Sequence, residues 1–178
     1  MGMTQVINTN RRTGLAGWIL QVEDRLFWME KWTCTLALAT MVVTVFLTIL
    51  VRNLNLPWPN FGEWALVSVI PLTFVGAAMC TYLGSHISVD ALRLIGLRGV
   101  STLSRVVTAV ANMVFSGIFV YSGWFVFSEA VESGEQMLEL GTPLAIPLAF
   151  IPVGMALMLF HSLIDLLAVF VNSLEREK

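Results

Sequence analysis

Charged residues are scarce in this chain: 12% of its 178 residues are Asp, Glu, Lys or Arg, whereas 57% are hydrophobic. A soluble domain carries about 25% charged residues, so this chain has too little charge to cover a surface that faces water. The formal net charge of −2 gives no support to nucleic-acid binding. The composition therefore predicts a membrane-embedded domain with no nucleic-acid partner.

Histidine and cysteine are also rare, with two residues of each. Cys34 and Cys80 lie in separate apolar runs without CxxC or metal-ligand spacing, which argues against a membrane disulfide oxidoreductase. A four-helix cytochrome with two haems needs about four histidines within the membrane. No GxSxG-like stretch of a serine hydrolase is present either. We therefore predict no catalytic residue, no metal and no cofactor, and expect that the protein is not an enzyme.

Four apolar segments are long enough to cross the membrane as helices, which takes about 20 residues each. The predicted spans are 32–51, 64–83, 106–128 and 143–171, the last continuing past Asp165. A backbone in lipid must satisfy its own hydrogen bonds, which favours helices. The predicted fold class is an all-α integral membrane protein, with one four-helix membrane domain over residues 14–178 after a disordered tail over residues 1–13.

The charges of the connecting segments predict the orientation. The N-terminal segment and the connection after the second span are rich in arginine, whereas the connection after the third span, "EAVESGEQMLEL", has four glutamates and no basic residue. Basic residues collect on the cytoplasmic side, so both termini are expected there. Arg52, beyond the first span, is the exception and can reach towards headgroups. The acidic connection is either a solvated loop or a docking surface for a basic partner.

Ahead of the first span, apolar residues recur at helical spacings between Leu15 and Met29, opposite Glu23, Asp24 and Arg25. This pattern predicts an amphipathic N-terminal helix that lies in the cytoplasmic interface or packs against a partner protein. Further along, Gly76, Ala77, Ala78 and Gly117 are small residues that would let helices approach closely. Pro143 is a candidate first residue of the last span.

Two His–Asp pairs have the four-residue spacing that places both side chains on one helix face. His86 and Asp90 follow the second span, and His161 and Asp165 lie towards the end of the fourth. Zinc usually takes three or four protein ligands, so a polar stop or a docking contact is favoured for His86 and Asp90. For His161 and Asp165, contact with headgroups or a neighbouring helix is favoured over a proton or ion relay.

Four motifs, in order, resemble the small membrane subunit (DctQ-like) of tripartite ATP-independent periplasmic (TRAP) transporters. The first two are "TILVRNLNLPW", which contains Arg52, and "FGEWALV", which contains Glu63 and Trp64. The third is "FVGAAMCTYLGSHISVDAL", with Gly84, His86 and Asp90, and Arg93 follows it. The fourth is "PLAFIPVGMALM", with Pro147, Pro152 and Gly154. The family often has two adjacent acidic residues at the start of the second span, whereas here Glu63 is followed by Trp64.

The resemblance implies a non-catalytic subunit of the bacterial inner membrane that scaffolds a large multi-span permease subunit. A periplasmic binding protein would deliver carboxylate-type solutes, and sodium would drive their uptake. The ten motif residues are then candidates for structural or partner contacts, and membrane lipids are further partners. Two alternatives stay open: a self-contained transporter or channel formed by homo-oligomerisation, and a membrane enzyme or cofactor carrier.

Overall fold

A computed structural model describes residues 15–58, 61–83, 98–138 and 141–176. Its helices are α1 (Leu15–Asn53), α2 (Gly62–Tyr82), α3 (Arg98–Ser133), the single-turn α4 (Ala145–Leu148) and α5 (Phe150–Arg176). Four helical segments are long and apolar enough to cross a membrane: Gln21–Asn53, Gly62–Tyr82, Val106–Ser133 and Ala145–Leu167. The predicted all-α class with four spans is confirmed. The predicted tail over residues 1–13 lies outside the described residues.

The first helix differs from the prediction in one respect. The amphipathic segment is helical, but no boundary separates it from the span, so α1 runs without interruption for 39 residues. Trp18 and Met29 of its apolar stripe are exposed, whereas Glu23 on the opposite face is buried. In a membrane domain the large apolar side chains can face lipid while polar groups face other helices. Of the predicted polar face, Glu23 is therefore turned towards the protein, whereas Asp24 and Arg25 are exposed.

The fourth span also begins later than predicted. Pro143 lies outside the helix, where it forms an isolated antiparallel bridge with Gln136. The Leu144 amide donates to the Glu135 carbonyl at 3.0 Å and the Met137 amide donates to the Thr142 carbonyl at 2.9 Å. These bonds close a compact turn, so the prediction that Pro143 opens the helix is wrong. The helix begins at Ala145 instead.

The four long helices are arranged as a row. α1 packs along α2, α2 along α5, and α5 along α3, and the short α4 contacts α2, α3 and α5. Within the described residues α1 has no extended packing against α3 or α5, as it would have in a closed bundle. A row leaves both of its broad faces open. Large apolar side chains of its helices, such as Leu36, Phe46 and Phe125, are exposed.

The edge helix α3 shows how the row is built. Its buried residues are Ala109, Ser116, Gly123 and Ala130, all small and each seven positions after the last. A seven-residue repeat keeps one narrow seam of a helix against a single neighbour, and small residues allow close approach in membranes. Within the described residues this seam packs mainly against α5, with a smaller contact to α4, as expected for a helix at the edge of a row.

Glycines mark two close helix crossings. A Cβ atom on Gly154 of α5 would lie 2.6 Å from the backbone carbon of Phe74 in α2. A Cβ atom on Gly123 of α3 would lie 3.2 Å from the Pro152 nitrogen of α5. By contrast, a Cβ atom on Gly117 would meet nothing within 4 Å. The prediction of close approach at Gly117 is therefore wrong within this chain, while Ala78 is fully buried as part of the α2–α5 core.

Candidate functional site

The most concentrated polar chemistry in the described part of the chain surrounds His161. This residue lies on α5 and is 1% exposed. Its Nε2 atom is 3.0 Å from Oε1 of Glu30, and its Nδ1 atom is 3.4 Å from Oε1 of Glu23. Both glutamates belong to α1. The imidazole therefore connects two helices that share no extended packing surface.

The regular spacing of α1 places both carboxylates on the face towards α2. Glu23, Glu30, Cys34, Ala37 and Thr44 are its buried residues; they are separated by seven, four, three and seven positions. Residues seven apart lie on one face of a helix, about 10.5 Å apart along its axis. The imidazole can therefore lie between the two carboxylates, with one ring nitrogen turned towards each.

Tyr82, the last residue of α2, completes the contact between the helices. Its ring stacks on Phe27 of α1 with the centroids 4.3 Å apart. Its edge meets the His161 ring at a centroid distance of 5.4 Å. The phenol oxygen donates a hydrogen bond of 2.8 Å to Oδ1 of Asp24. α1, α2 and α5 are thus joined by aromatic and polar contacts near the C-terminal end of α2. We call Glu23, Glu30 and His161 the buried clasp.

Three polar atoms at and beside the clasp have no hydrogen-bond partner among the described residues, although all are buried. They are Oε2 of Glu30, Nδ1 of His161 and Oγ of Ser162. A buried polar atom without a partner costs about 1–3 kcal/mol. Other buried hydroxyls avoid this cost: Thr44 and Ser116 bond to backbone carbonyls of their own helices. The clasp is therefore the place where the described structure has unused hydrogen-bonding capacity.

Sequence patterns identified only part of this site. His161 was singled out with Asp165, and the structure confirms contact with a neighbouring helix for His161. Glu23 was assigned to an outward polar face and Glu30 to no role, because both precede the predicted start of the first span at residue 32. Two glutamates seven positions apart, on a helix that continues into the membrane, are the signal that could have found them.

The structure places the motif residues of the sequence prediction at three locations. Arg52 is exposed in the last turn of α1, and Glu63 and Trp64 are in the first turn of α2. Pro147, Pro152 and Gly154 are buried where α4 and α5 pack on the other helices. The remaining candidates lie outside the described residues: Gly84, His86, Asp90 and Arg93. Arg52 and Glu63 suit their helix ends, because a cation favours the C-terminus and an anion the N-terminus.

Among the described residues, no group of three or more His, Cys, Asp or Glu side chains has an arrangement that could hold a metal ion. A shallow groove runs between α1 and α2 and is lined by apolar side chains, among them Met41, Val45, Ile49, Leu66 and Val69. Such a lining offers no hydrogen bonds to a polar solute. The groove and the exposed apolar residues around it therefore form a surface suited to other apolar helices or to lipid chains.

The comparison with protein families agrees with this architecture. The family model described as "Tripartite ATP-independent periplasmic transporters, DctQ component" matches residues 41–172, which is most of the chain. No individual curated protein matches the chain. The matched residues include His161 and parts of all four long helices. Glu23 and Glu30 lie before the matched range. The chain therefore belongs to the DctQ family, the DctQ component of tripartite ATP-independent periplasmic transporters.

Proposed function

We propose that this chain is the small permease subunit of a TRAP transporter and that it scaffolds a larger membrane subunit. The observation that carries the proposal is the open row of helices. Large apolar side chains of the row are exposed, and no helix within the described residues closes the row into a bundle. A closed bundle would isolate its helices from partners, whereas a row can lie along a second membrane protein over its whole length.

The interior of the row also suits a supporting role. Its ionisable groups Glu23, Glu30 and His161 contact one another rather than lining a groove or pore. Two close crossings at Gly154 and Gly123 hold α5 tightly between α2 and α3. Tight small-residue contacts favour a rigid unit. We infer that this subunit stays fixed while substrate movement takes place in the larger subunit.

The finer assignments rest on the family resemblance. The large subunit would bind sodium and the solute, and a periplasmic binding protein would deliver carboxylate-type organic solutes. The subunit would lie in the bacterial inner membrane with both termini in the cytoplasm, as the arginine distribution favours. In this orientation Arg52, Glu63 and the glutamates at positions 129, 132 and 135 face the periplasm, where they would be accessible to the binding protein.

Site-directed labelling tests the scaffold proposal directly. Exposed Cys80 is first replaced by Ser and buried Cys34 is kept. One further cysteine is then introduced at Leu36 or Val43 of α1 or at Val114 or Tyr121 of α3, all of which are exposed. A lipid-soluble maleimide should label each of these variants when the chain is expressed alone. Co-expression with the large subunit should protect the pair of positions that this subunit covers, on α1 or on α3. Equal labelling at all four positions in both cases would contradict the proposal.

Reconstitution separates the scaffold from a self-contained transporter. Liposomes that contain only this chain should show no uptake of carboxylate-type solutes, with or without a sodium gradient. Liposomes with both membrane subunits and the binding protein should show sodium-dependent uptake. Uptake by this chain alone would replace the scaffold proposal with a homo-oligomeric transporter or channel.

A further inference from the structure

We propose that the buried clasp of Glu23, Glu30 and His161 is a proton-binding site, in which an imidazolium ring joins α1 to α5. The proposal concerns this chain itself and does not depend on its role in transport. Neither helix makes this contact through an extended packed surface. The attachment of the first half of α1 to α5 therefore depends on the protonation of one cluster.

Hydrogen-bond counting leads to this inference. A neutral imidazole has one N–H donor and one acceptor nitrogen, whereas an ionised carboxylate only accepts. Both ring nitrogens of His161 face carboxylate oxygens, at 3.0 Å for Glu30 and 3.4 Å for Glu23. Without an added proton, one nitrogen lone pair would face a carboxylate lone pair. One additional proton, held by the ring, gives each ring nitrogen an N–H. The Nε2–H group donates to Glu30, and the Nδ1–H group faces Glu23 at ion-pair distance.

The burial of the clasp also favours a positive charge on the ring. His161 and Glu30 are at most 2% exposed and Glu23 is 6% exposed. Two unneutralised carboxylates in such a place carry a large desolvation cost, which a cation between them reduces. The protonated clasp has one net negative charge, and the deprotonated clasp would have two. The proton on the ring therefore halves the net charge that is buried in the clasp.

Among the side chains that the structure describes, the other titratable groups around the ring do not supply the missing cation. α1 also contributes Asp24, which accepts the Tyr82 hydrogen bond, and Cys34, and Cys80 lies on α2. Asp165 lies one turn further along α5. α3 has no titratable residue between positions 106 and 120. Arg25 and Lys31 are exposed, on a different face of α1 from the clasp.

Nitrogen NMR of the full-length chain in lipid bilayers tests the proposal without disturbing the clasp. The protein has two histidines, so the H86Q variant with ¹⁵N-labelled histidine reports on His161 alone. We expect both ring nitrogens to give the signals of protonated nitrogen at neutral pH. A neutral ring with one unprotonated nitrogen would overturn the proposal.

The pH profile of stability is the second test, because it separates proton binding from packing alone. The thermal midpoint of the wild type should fall as alkaline pH removes the proton, since the two carboxylates then repel each other. The apolar double variant E30M/H161L should lose this clasp-dependent part of the alkaline decrease, whatever its midpoint at neutral pH. The exposed variant D24N serves as the control and should retain the alkaline decrease. Identical pH profiles for the wild type and E30M/H161L would contradict the proposal.

Discussion

α5 is held to α2 and to α1 by different physical interactions. Where α5 crosses α2, Gly154 lets the backbones meet and Met155, Met158 and Ala78 form a small apolar core. Where α1 meets α5, one imidazole lies between two carboxylates and the backbones stay apart. Close packing is short-ranged and insensitive to pH, whereas a buried ionic contact acts between separated helices and depends on protonation. The α2–α5–α3 part is therefore expected to be the rigid unit, and the first half of α1 the adjustable one.

The largest expected effect on stability is at the buried clasp. His161→Leu removes the cation and leaves two carboxylates buried, which should lower the free energy of unfolding by about 3–5 kcal/mol. Thermal unfolding in detergent would measure the loss. The double variant E30M/H161L should recover part of it, because one of the stranded carboxylates is also removed. A single variant as stable as the wild type would show that the clasp is not a stabilising contact.

The next largest effect on stability is expected where α5 crosses α2. Gly154→Ala places a Cβ atom 2.6 Å from the Phe74 backbone, so α2 and α5 must separate. We expect a loss of about 1–3 kcal/mol, as is typical when a packed core must accommodate added atoms. Unfolding by denaturant would test this, with the same substitution at Gly117 as the matched control.

A smaller effect is expected for the hydrogen bond between α1 and α2. Tyr82→Phe keeps the ring stacked on Phe27 but removes the donor to Asp24. Hydrogen bonds between helices in membrane proteins contribute on average about 0.6 kcal/mol, so the loss should be of that size. The double cycle with Asp24→Ala would isolate this interaction. Equal effects of Tyr82→Phe in the two backgrounds would mean that the bond does not contribute.

The smallest effect on the chain itself is expected at Gly117. Its Cβ position is open, and replacing glycine by alanine within a helix is favourable by up to about 1 kcal/mol. Gly117→Ala should therefore leave the isolated chain unchanged or slightly more stable in the same unfolding experiment. A clear loss of stability would contradict the open surface along α3.

Much of the fold could be predicted because membrane solvation acts on local composition. Long apolar runs with few charges define the four helices. Because these runs lack internal charges, most of the predicted span ends lie within a few residues of the ends in the structure. The start of the last helix was misplaced because Pro143 is equally compatible with a helix start and with the bridge to Gln136. Local propensity does not distinguish these conformations; the hydrogen bonds between positions 135–137 and 142–144 do.

The functional site was harder to predict because its members are far apart in the chain. His161 is distinguishable from the sequence as the only histidine within an apolar span. Its partners Glu23 and Glu30 are separated from it by more than one hundred residues, and their pattern alone also fits a helix on the membrane surface. The seven-residue repeat of Ala109, Ser116, Gly123 and Ala130 was visible in the sequence, but many small residues in the chain could have formed such a seam.

The sequence by itself determined that this protein is a set of four membrane-spanning helices, because hydropathy and backbone hydrogen bonding act along the chain. The motifs alone carried the resemblance to the DctQ component, which the family match confirms. Only the tertiary structure decided the order of the helices in the row, the open face at Gly117 and the contact of His161 with two glutamates. These features depend on which helix surfaces contact each other in the folded protein. Packing and charge neutralisation each involve two or more residues that are distant in the chain, so no single position specifies them.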